Sequence, residues 1–330
     1  MTRSYIRGLG FYVPPKVVTN DDLSKLMDTS DAWIRERTGI QTRYFVEEGV
    51  AASDLALEAT KNALSDARLT AKDIDFIILA TLSADYQFPG ASAILQSKLG
   101  IGPIGAMDIR TQCSGFIYGL ATADAMIRSG LYQRVLLVGA EVQSTAMDLT
   151  TRGRDVAVIF GDGAGAALVE ATEEDRGILS SHLHCDGRYA KELWVEHPGS
   201  SSHPATDLKM IEEGRHFPKM NGREVFKHAV TKFIEVIQEA CRTNGVTPQQ
   251  IDLLIVHQAN IRIAEAVREY LKFPSEKMYN NIHKYGNTTA ASIPIALTEA
   301  KQLALLKPGS LVCLAAFGSG FTWGATLIRW

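Results

Sequence analysis

Apolar residues along this chain fall into two alternating patterns. From Ser53 to Arg68 they recur at helical spacing, and DIDFIILAT at 73–81 follows as a continuous apolar run with the length of a buried strand. ASAILQSKLG at 91–100 predicts a further helix and IGAMDI at 104–109 a strand. Residues 113–129 predict a long helix that stops at Gly130, and RVLLVGAE at 134–141 and LVCLAAF at 311–317 predict two more buried strands. Alternation of this kind predicts an α/β protein.

The pattern also repeats. An amphipathic helix leads into TAKDIDFIILAT in the first half, and FKHAVTKFIEVIQEACRTNG leads into TPQQIDLLIVHQA in the second, so that Asp75 and Asp252 correspond at 252 − 75 = 177 residues. VIFGDGAGAALV matches AAFGSGFTWGATLI, pairing Phe160 with Phe317 at 317 − 160 = 157 residues. Two matches in the same order predict two related halves, which places their functional loops in related positions. Between them, from about Ser180 to Asn221, the chain turns polar and is expected to be a loop-rich excursion.

Two motifs imitate sites. HLHC, with His182, His184 and Cys185, has metal-ligand residue types but no partner cluster at a zinc spacing. GDGAGA at 161–166 misses the G-x-G-x-x-G spacing and leads into a strand-like run rather than a helix, so it implies no nicotinamide cofactor. No G-x-S-x-G elbow occurs, which argues against a serine hydrolase.

The 330 residues, 46% hydrophobic and 22% charged, suffice for one large or two ordinary globular domains. A net charge of −3 gives no global field for nucleic acid or an anionic membrane, so an acidic partner would need a local basic patch. MTRSYIRGLGFYVPPK has no apolar run of signal-peptide length, and no stretch has the length of a membrane span. The expectation is a soluble cytoplasmic protein with reduced thiols.

Of the four cysteines, Cys185, Cys241 and Cys313 read as packing residues. Cys113 differs, because a strand ends, a short turn follows, and the thiol opens a helix among small neighbours in QCSGF. A helix N-terminus offers unpaired N–H groups and partial positive charge, which favour a thiolate. His257 ends the apolar run IDLLIV, at a strand end where ligand sites of α/β sheets lie. Asn287, in KYGNTTAASIP, lies 287 − 113 = 174 residues after Cys113, close to the repeat offset, so the two loops are candidates to meet at one site. In a hydrolase, His would activate the thiol and Asn would orient His. In a condensing enzyme, Cys would hold an acyl group while His and Asn donate hydrogen bonds to a second thioester. Spacing leaves both open.

Eight ordered motifs resemble the β-ketoacyl-acyl-carrier-protein synthase III family nearly end to end: DTSDAWIRERTGI at 28–40, QFPGAS at 87–92, QCSGF, RGRDVAVIFGDGAGA at 152–166, MNGREVFK at 220–227, VHQANIRI at 256–263, YGNTTAASIP at 285–294 and FGSGFTWG at 317–324. The resemblance implies a thiolase-like fold, a five-layer αβαβα sandwich of two pseudo-symmetric halves. Residues 1–170 would carry the nucleophilic Cys, and residues 171–330 the His and Asn. It implies that Cys113 is acylated by an acyl-CoA, that His257 and Asn287 bind the malonyl thioester carbonyl, and that the backbone N–H groups of Cys113 and Ser319 form the oxyanion hole. Thr29, Trp33, Arg37 and Arg154 would grip coenzyme A, and Gly222, Ala259 and Asn260 would line the pantetheine tunnel. Phe88 would enter the neighbouring subunit's acyl pocket in a homodimer, and Lys227 and Arg262 would receive the malonyl-acyl-carrier protein. The implied reaction is a ping-pong decarboxylative condensation that starts fatty acid synthesis, with coenzyme A thioester as substrate and no metal or redox cofactor. A relative acting in secondary metabolism on another primer or a CoA-bound acceptor, a non-catalytic binding subunit and a Cys-His-Asn protease are the alternatives.

The chain departs from the family pattern at Arg110, Thr111 and Gln112, where small apolar residues are usual, and at Ser114. The stretch Cys185–Lys219, with Trp194 and His197, follows the family loosely, and Glu269 is acidic where a basic residue is expected. Both the primer and the carrier contact are affected by these positions.

Overall fold

The computed structural model describes residues 2–330. The apolar runs form two sheets. In the first, the strands lie in the order Arg3–Tyr12, Gly163–Thr172, Arg134–Glu141, Phe76–Ala80, Gly105–Ile109. Phe76–Ala80 runs parallel to both of its neighbours, whereas Gly163–Thr172 runs antiparallel to both of its own. The second sheet has the order Leu253–Val256, Leu311–Gly318, Thr322–Arg329, Gly177–Cys185, with a parallel first pair and antiparallel pairs after it.

Helices cover both faces of each sheet, which is why the central strands carry almost no polar residues. Helix Ala52–Ala67 packs on the outer face of the first sheet, and helix Gly222–Thr243 on the outer face of the second. Helices Gly115–Arg128 and Ser292–Gln302 lie between the sheets and share one apolar core with strands of both. This is the expected α/β sandwich of five layers. Nine residues of Ser292–Gln302 are buried, among them Ser292, Thr298 and Glu299, whose polar groups find protein partners, and each buried Ile or Leu stabilises the layer by about 1.5–3 kcal/mol.

The repeat governs local chemistry as well as topology. Asp75 accepts the backbone N–H groups of Gln133 and Arg134 at 3.0 and 2.7 Å, and Asp252 accepts that of Leu311 at 2.8 Å. Each aspartate thus pins the start of its strand to the parallel neighbour. Strands Phe76–Ala80 and Leu253–Val256 obey the offset of 253 − 76 = 177, as do the central helices at 292 − 115 = 177. The turns before those helices share a left-handed residue, Gln112 at φ 45° and Thr289 at φ 46°.

Two expectations are corrected. The strands Gly163–Thr172 and Thr322–Arg329 correspond at 322 − 163 = 159, not 157. Phe160 lies outside the sheet in an isolated bridge with Asn287, while Phe317 lies inside a strand opposite Trp323, so the Phe-Gly likeness is local. The polar excursion begins at Asp186 rather than Ser180, because residues 180–185 complete the strand Gly177–Cys185. Its alternate residues His182 and His184 both bond to Glu239 of helix Gly222–Thr243, at 3.2 and 2.6 Å. Among the described residues, no helix is long and apolar enough to cross a membrane.

Candidate active site

Three loops converge where the two halves meet. The turn Gln112–Ser114 packs against the turn Thr289–Ala291 and against strand Leu311–Gly318. Gly318 has no room for a side chain, since a Cβ there would sit 2.7 Å from the Cβ of Cys113. Gly139 admits an equally close approach, because its Cβ would lie 2.3 Å from the carbonyl oxygen of Ala290. These contacts bring the second half's turn onto the first half's sheet.

Cys113 is buried in the 3-10 turn rather than at the first residue of the helix, which begins at Gly115. Two influences on the thiol oppose each other here. Burial pushes the thiol up to about 12, and the nearby Glu141 carboxylate raises it further; the N–H groups of Cys113 and Ser319 oppose this. Both N–H groups therefore bear on the sulfur, where an oxyanion would form beside it. The Ser319 hydroxyl donates to the Leu193 carbonyl, which ties this turn to the excursion.

His257 follows strand Leu253–Val256, and its N–H donates to Ala315 O at 2.8 Å. Burial holds its imidazole neutral, lowering the pKa to about 3. Nδ1 lies 2.6 Å from the Ser292 hydroxyl. The other partner of that hydroxyl is the Gln258 N–H, a donor at 3.3 Å, so the arrangement that gives the Ser292 proton an acceptor assigns Nδ1 to that role. The ring proton therefore sits on Nε2, which has no protein partner among the described residues.

Asn287 is held by its backbone, its N–H donating to Ile159 O at 2.9 Å and its carbonyl accepting from Gly161 N at 3.1 Å. Oδ1 accepts the Thr289 N–H at 2.8 Å, which turns Nδ2 the other way, clear of protein acceptors among the described residues. Asn287 therefore offers a neutral donor, and with its ring proton assigned to Nε2 His257 offers a second, on segments that adjoin the turn of Cys113.

Trp33 carries two guanidinium groups over its ring, Arg37 at 4.4 Å and Arg154 at 5.0 Å. Arg154 also donates to Asp28 O at 2.7 Å and its Nε lies 3.6 Å from Asp155, while the buried Thr29 hydroxyl has no hydrogen-bond partner among the described residues. These four residues form one patch. Asn260 adjoins it, donating to Arg37 O at 2.9 Å, and its Oδ1 caps helix Ile261–Tyr270 through the Arg262 N–H, so its amide is already engaged. Ala259 is half-buried and Gly222 is exposed at the start of its helix. Lys227 is exposed, 3.9 Å from Glu224, and the Arg262 guanidinium lies 5.9 Å from the ring of the adjacent Phe226. Glu269 sits 3.7 Å from Arg268, which Glu265 also engages at 2.7 Å, leaving that side of the patch neutralised. Phe88 is not brought to Cys113 of its own chain but stands 85% exposed on a surface loop.

Sequence reasoning missed Ser292, Thr289, Gln143 and Glu141. Glu141 had left a signal, since it is the one acid in the otherwise apolar interior of RVLLVGAE. The others are ordinary polar residues whose roles depend on contacts across the two halves.

A repeated α/β chain whose buried cysteine turn packs on the turn after Asn287 and on the strand that His257 adjoins has the arrangement of a thiolase-fold condensing enzyme. Two family models match the chain: 3-oxoacyl-[acyl-carrier-protein (ACP)] synthase III over residues 107–187, and its C-terminal model over residues 241–330. The β-ketoacyl-[acyl-carrier-protein] synthase III of Caldanaerobacter subterraneus is 46% identical over 325 residues, covering 98% of this chain and 97% of that one. The enzyme of that name from Granulibacter bethesdensis is 44% identical over 334 residues, with each chain covered completely. The crystal structure of 3-oxoacyl-[acyl-carrier-protein] synthase III from Aquifex aeolicus superposes with a TM-score of 0.91 at 42% identity, covering 99% of this chain and 100% of that one. The chain belongs to the 3-oxoacyl-[acyl-carrier-protein] synthase III family.

Proposed function

We propose that the protein condenses an acyl-CoA primer with malonyl-acyl-carrier protein, with loss of carbon dioxide, to give a β-ketoacyl-acyl-carrier protein and so start fatty acid synthesis. The observation that carries this reading is that His257 is buried with its Nδ1 engaged by the Ser292 hydroxyl at 2.6 Å, which assigns the ring proton to Nε2. With Nδ1 accepting from Ser292 and Nε2 bearing the proton, the ring is a donor and not a base toward the site. A cysteine protease needs His to take the thiol proton, whereas a condensing enzyme needs two donors on a thioester oxygen.

In the first half-reaction the Cys113 sulfur attacks the acyl-CoA carbonyl, the oxygen takes up the Cys113 and Ser319 N–H groups, and coenzyme A leaves with the thiol proton. The resting thiol loses its proton as the bond forms rather than beforehand. In the second, the malonyl thioester oxygen accepts from His257 Nε2 and Asn287 Nδ2. The carboxylate leaves as carbon dioxide, its bonding electrons become an enolate, and the enolate carbon attacks acyl-Cys113 and expels the thiolate. Decarboxylation supplies the carbanion, so the sequence calls for no metal or redox cofactor. Trp33, Arg37, Arg154 and Thr29 suit the nucleotide end of coenzyme A, since stacking and guanidinium charge together match a base and its phosphates. Gly222, Ala259 and Asn260 lead inward, and Lys227 and Arg262 receive the acidic carrier.

The working form is a cytoplasmic homodimer. Phe88 and Tyr86 are 85% and 66% exposed, and strand Gly105–Ile109 ends its sheet with an unpaired edge, so a second copy would cover both features. The test is intact-protein mass spectrometry with acetyl-, octanoyl- and branched acyl-CoA, followed by malonyl-acyl-carrier protein and measurement of released carbon dioxide. An adduct absent from Cys113→Ala and discharged with carbon dioxide release is expected. No adduct from any primer would overturn the reading.

A further inference from the structure

Behind Cys113 lies a fully buried carboxylate that the reaction above does not use. Glu141 ends strand Arg134–Glu141 with none of its surface exposed. We propose that Glu141 is a positioning residue for condensation, holding the Thr289–Ala290 turn and, through it, the Asn287 amide in its donor orientation. The proposal deepens the reading above and rests on Asn287 donating to the malonyl carbonyl.

The carboxylate gathers donors from three segments. Ser83 Oγ donates at 2.6 Å, with the Thr81 hydroxyl and the Leu82 N–H at 3.3 Å, all from the loop after strand Phe76–Ala80. Gln143 Nε2 reaches Glu141 at 3.3 Å and the Thr289 hydroxyl oxygen at 3.4 Å, bridging the acid to the other half. The Thr289 hydroxyl and Ala290 N–H both favour the ionised acid, against burial that pushes it up to about 7.

This anchoring acts where the backbone resists. Thr289 is β-branched yet adopts φ 46°, a conformation that persists only when its surroundings fix it. Its N–H is the group that occupies Asn287 Oδ1 at 2.8 Å. Release of Thr289 therefore frees the Asn287 amide to rotate and offer oxygen instead of nitrogen. A carboxylate placed in the interior is costly unless donors surround it, and packing alone would be met by a neutral residue. The titratable group facing Glu141 is the Cys113 thiol; the others around it are neutral hydroxyls and amides from residues 81–83, 143, 289 and 290.

The two half-reactions of the full-length enzyme test this, with acetyl-CoA and malonyl-acyl-carrier protein as probes. In Glu141→Gln, kcat for condensation should fall about tenfold or more while loading of Cys113 stays within about threefold and KM for the malonyl carrier holds. A pH inflection in wild-type condensation near neutrality should be absent from this variant. Thr289→Val, which keeps the branched shape without the hydroxyl, should lower condensation in the same direction but retain the inflection; it decides the matter if Glu141→Gln fails to fold. Wild-type condensation in both variants, or loading lost in parallel with condensation, overturns the proposal. Asn287→Ala separates the two failures: if it is impaired while both variants are not, only the role of Glu141 falls, and if it condenses normally the donor reading itself falls.

Discussion

Removing the Ser292 hydroxyl should separate the two halves of the reaction. The bond from Ser292 to His257 Nδ1 is 2.6 Å long, with the two residues 2% and 4% exposed, so no bulk water replaces it in Ser292→Ala. Leaving a buried acceptor unpaired costs about 1–3 kcal/mol. Without the serine hydroxyl nothing fixes which ring nitrogen carries the proton, and the Nδ1-protonated tautomer turns the Nε2 lone pair toward the malonyl carbonyl and abolishes the donor. At about 1.4 kcal/mol per tenfold, condensation kcat should fall about 5- to 150-fold. Loading of Cys113 relies on the Cys113 and Ser319 N–H groups, which lie outside this hydrogen-bond chain, and should stay within about threefold. Rapid-quench mass spectrometry measures loading, and carbon dioxide release from malonyl-acyl-carrier protein measures the second step. Equal losses in both steps would refute the reasoning and return His257 to the role of base.

Gly318→Ala places a methyl 2.7 Å from the Cys113 Cβ, so it should destabilise by about 1–3 kcal/mol in denaturant titration and slow loading more than substrate binding. Unchanged loading would mean that the turn yields freely. Trp33→Ala removes the ring beneath two guanidinium groups and should raise KM for acyl-CoA about 5- to 30-fold with kcat retained; a kcat effect alone would contradict a gripping role. His257 stays neutral in the folded protein down to about pH 3, while the unfolded chain protonates it below about 6.5, so the unfolded state binds the extra proton in that window. Wild-type stability relative to His257→Gln should therefore fall on acidification by about 1.4 kcal/mol per pH unit between those values, and parallel stability curves would show that the ring is not buried neutral.

The layered fold was legible because strands buried on both faces must be continuously apolar and the helices beside them periodic. Asp75 and Asp252 exposed the repeat because each performs the same backbone task. The strand Gly177–Cys185 was hidden because its polar residues pair with Glu239 on a helix far along the chain. Cys113, His257 and Asn287 stood out by their places at strand and helix ends. Their chemical states did not, since the thiol's protonation depends on depth of burial and the imidazole tautomer on a serine 35 residues away. Helix-end potential suggested a thiolate, and desolvation outweighs it here. Motif likeness supplied Trp33 and Arg154, residues 121 apart in sequence, which periodicity alone would never have joined.

His257→Ala, measured in the two half-reactions, tests most directly whether the site works by donation to a second thioester. The acyl adduct on Cys113 should form at nearly the wild-type rate, while decarboxylative condensation falls about 100- to 1,000-fold, the usual loss for one such donor. An enzyme that can no longer be acylated at Cys113, yet retains its fold, would contradict it.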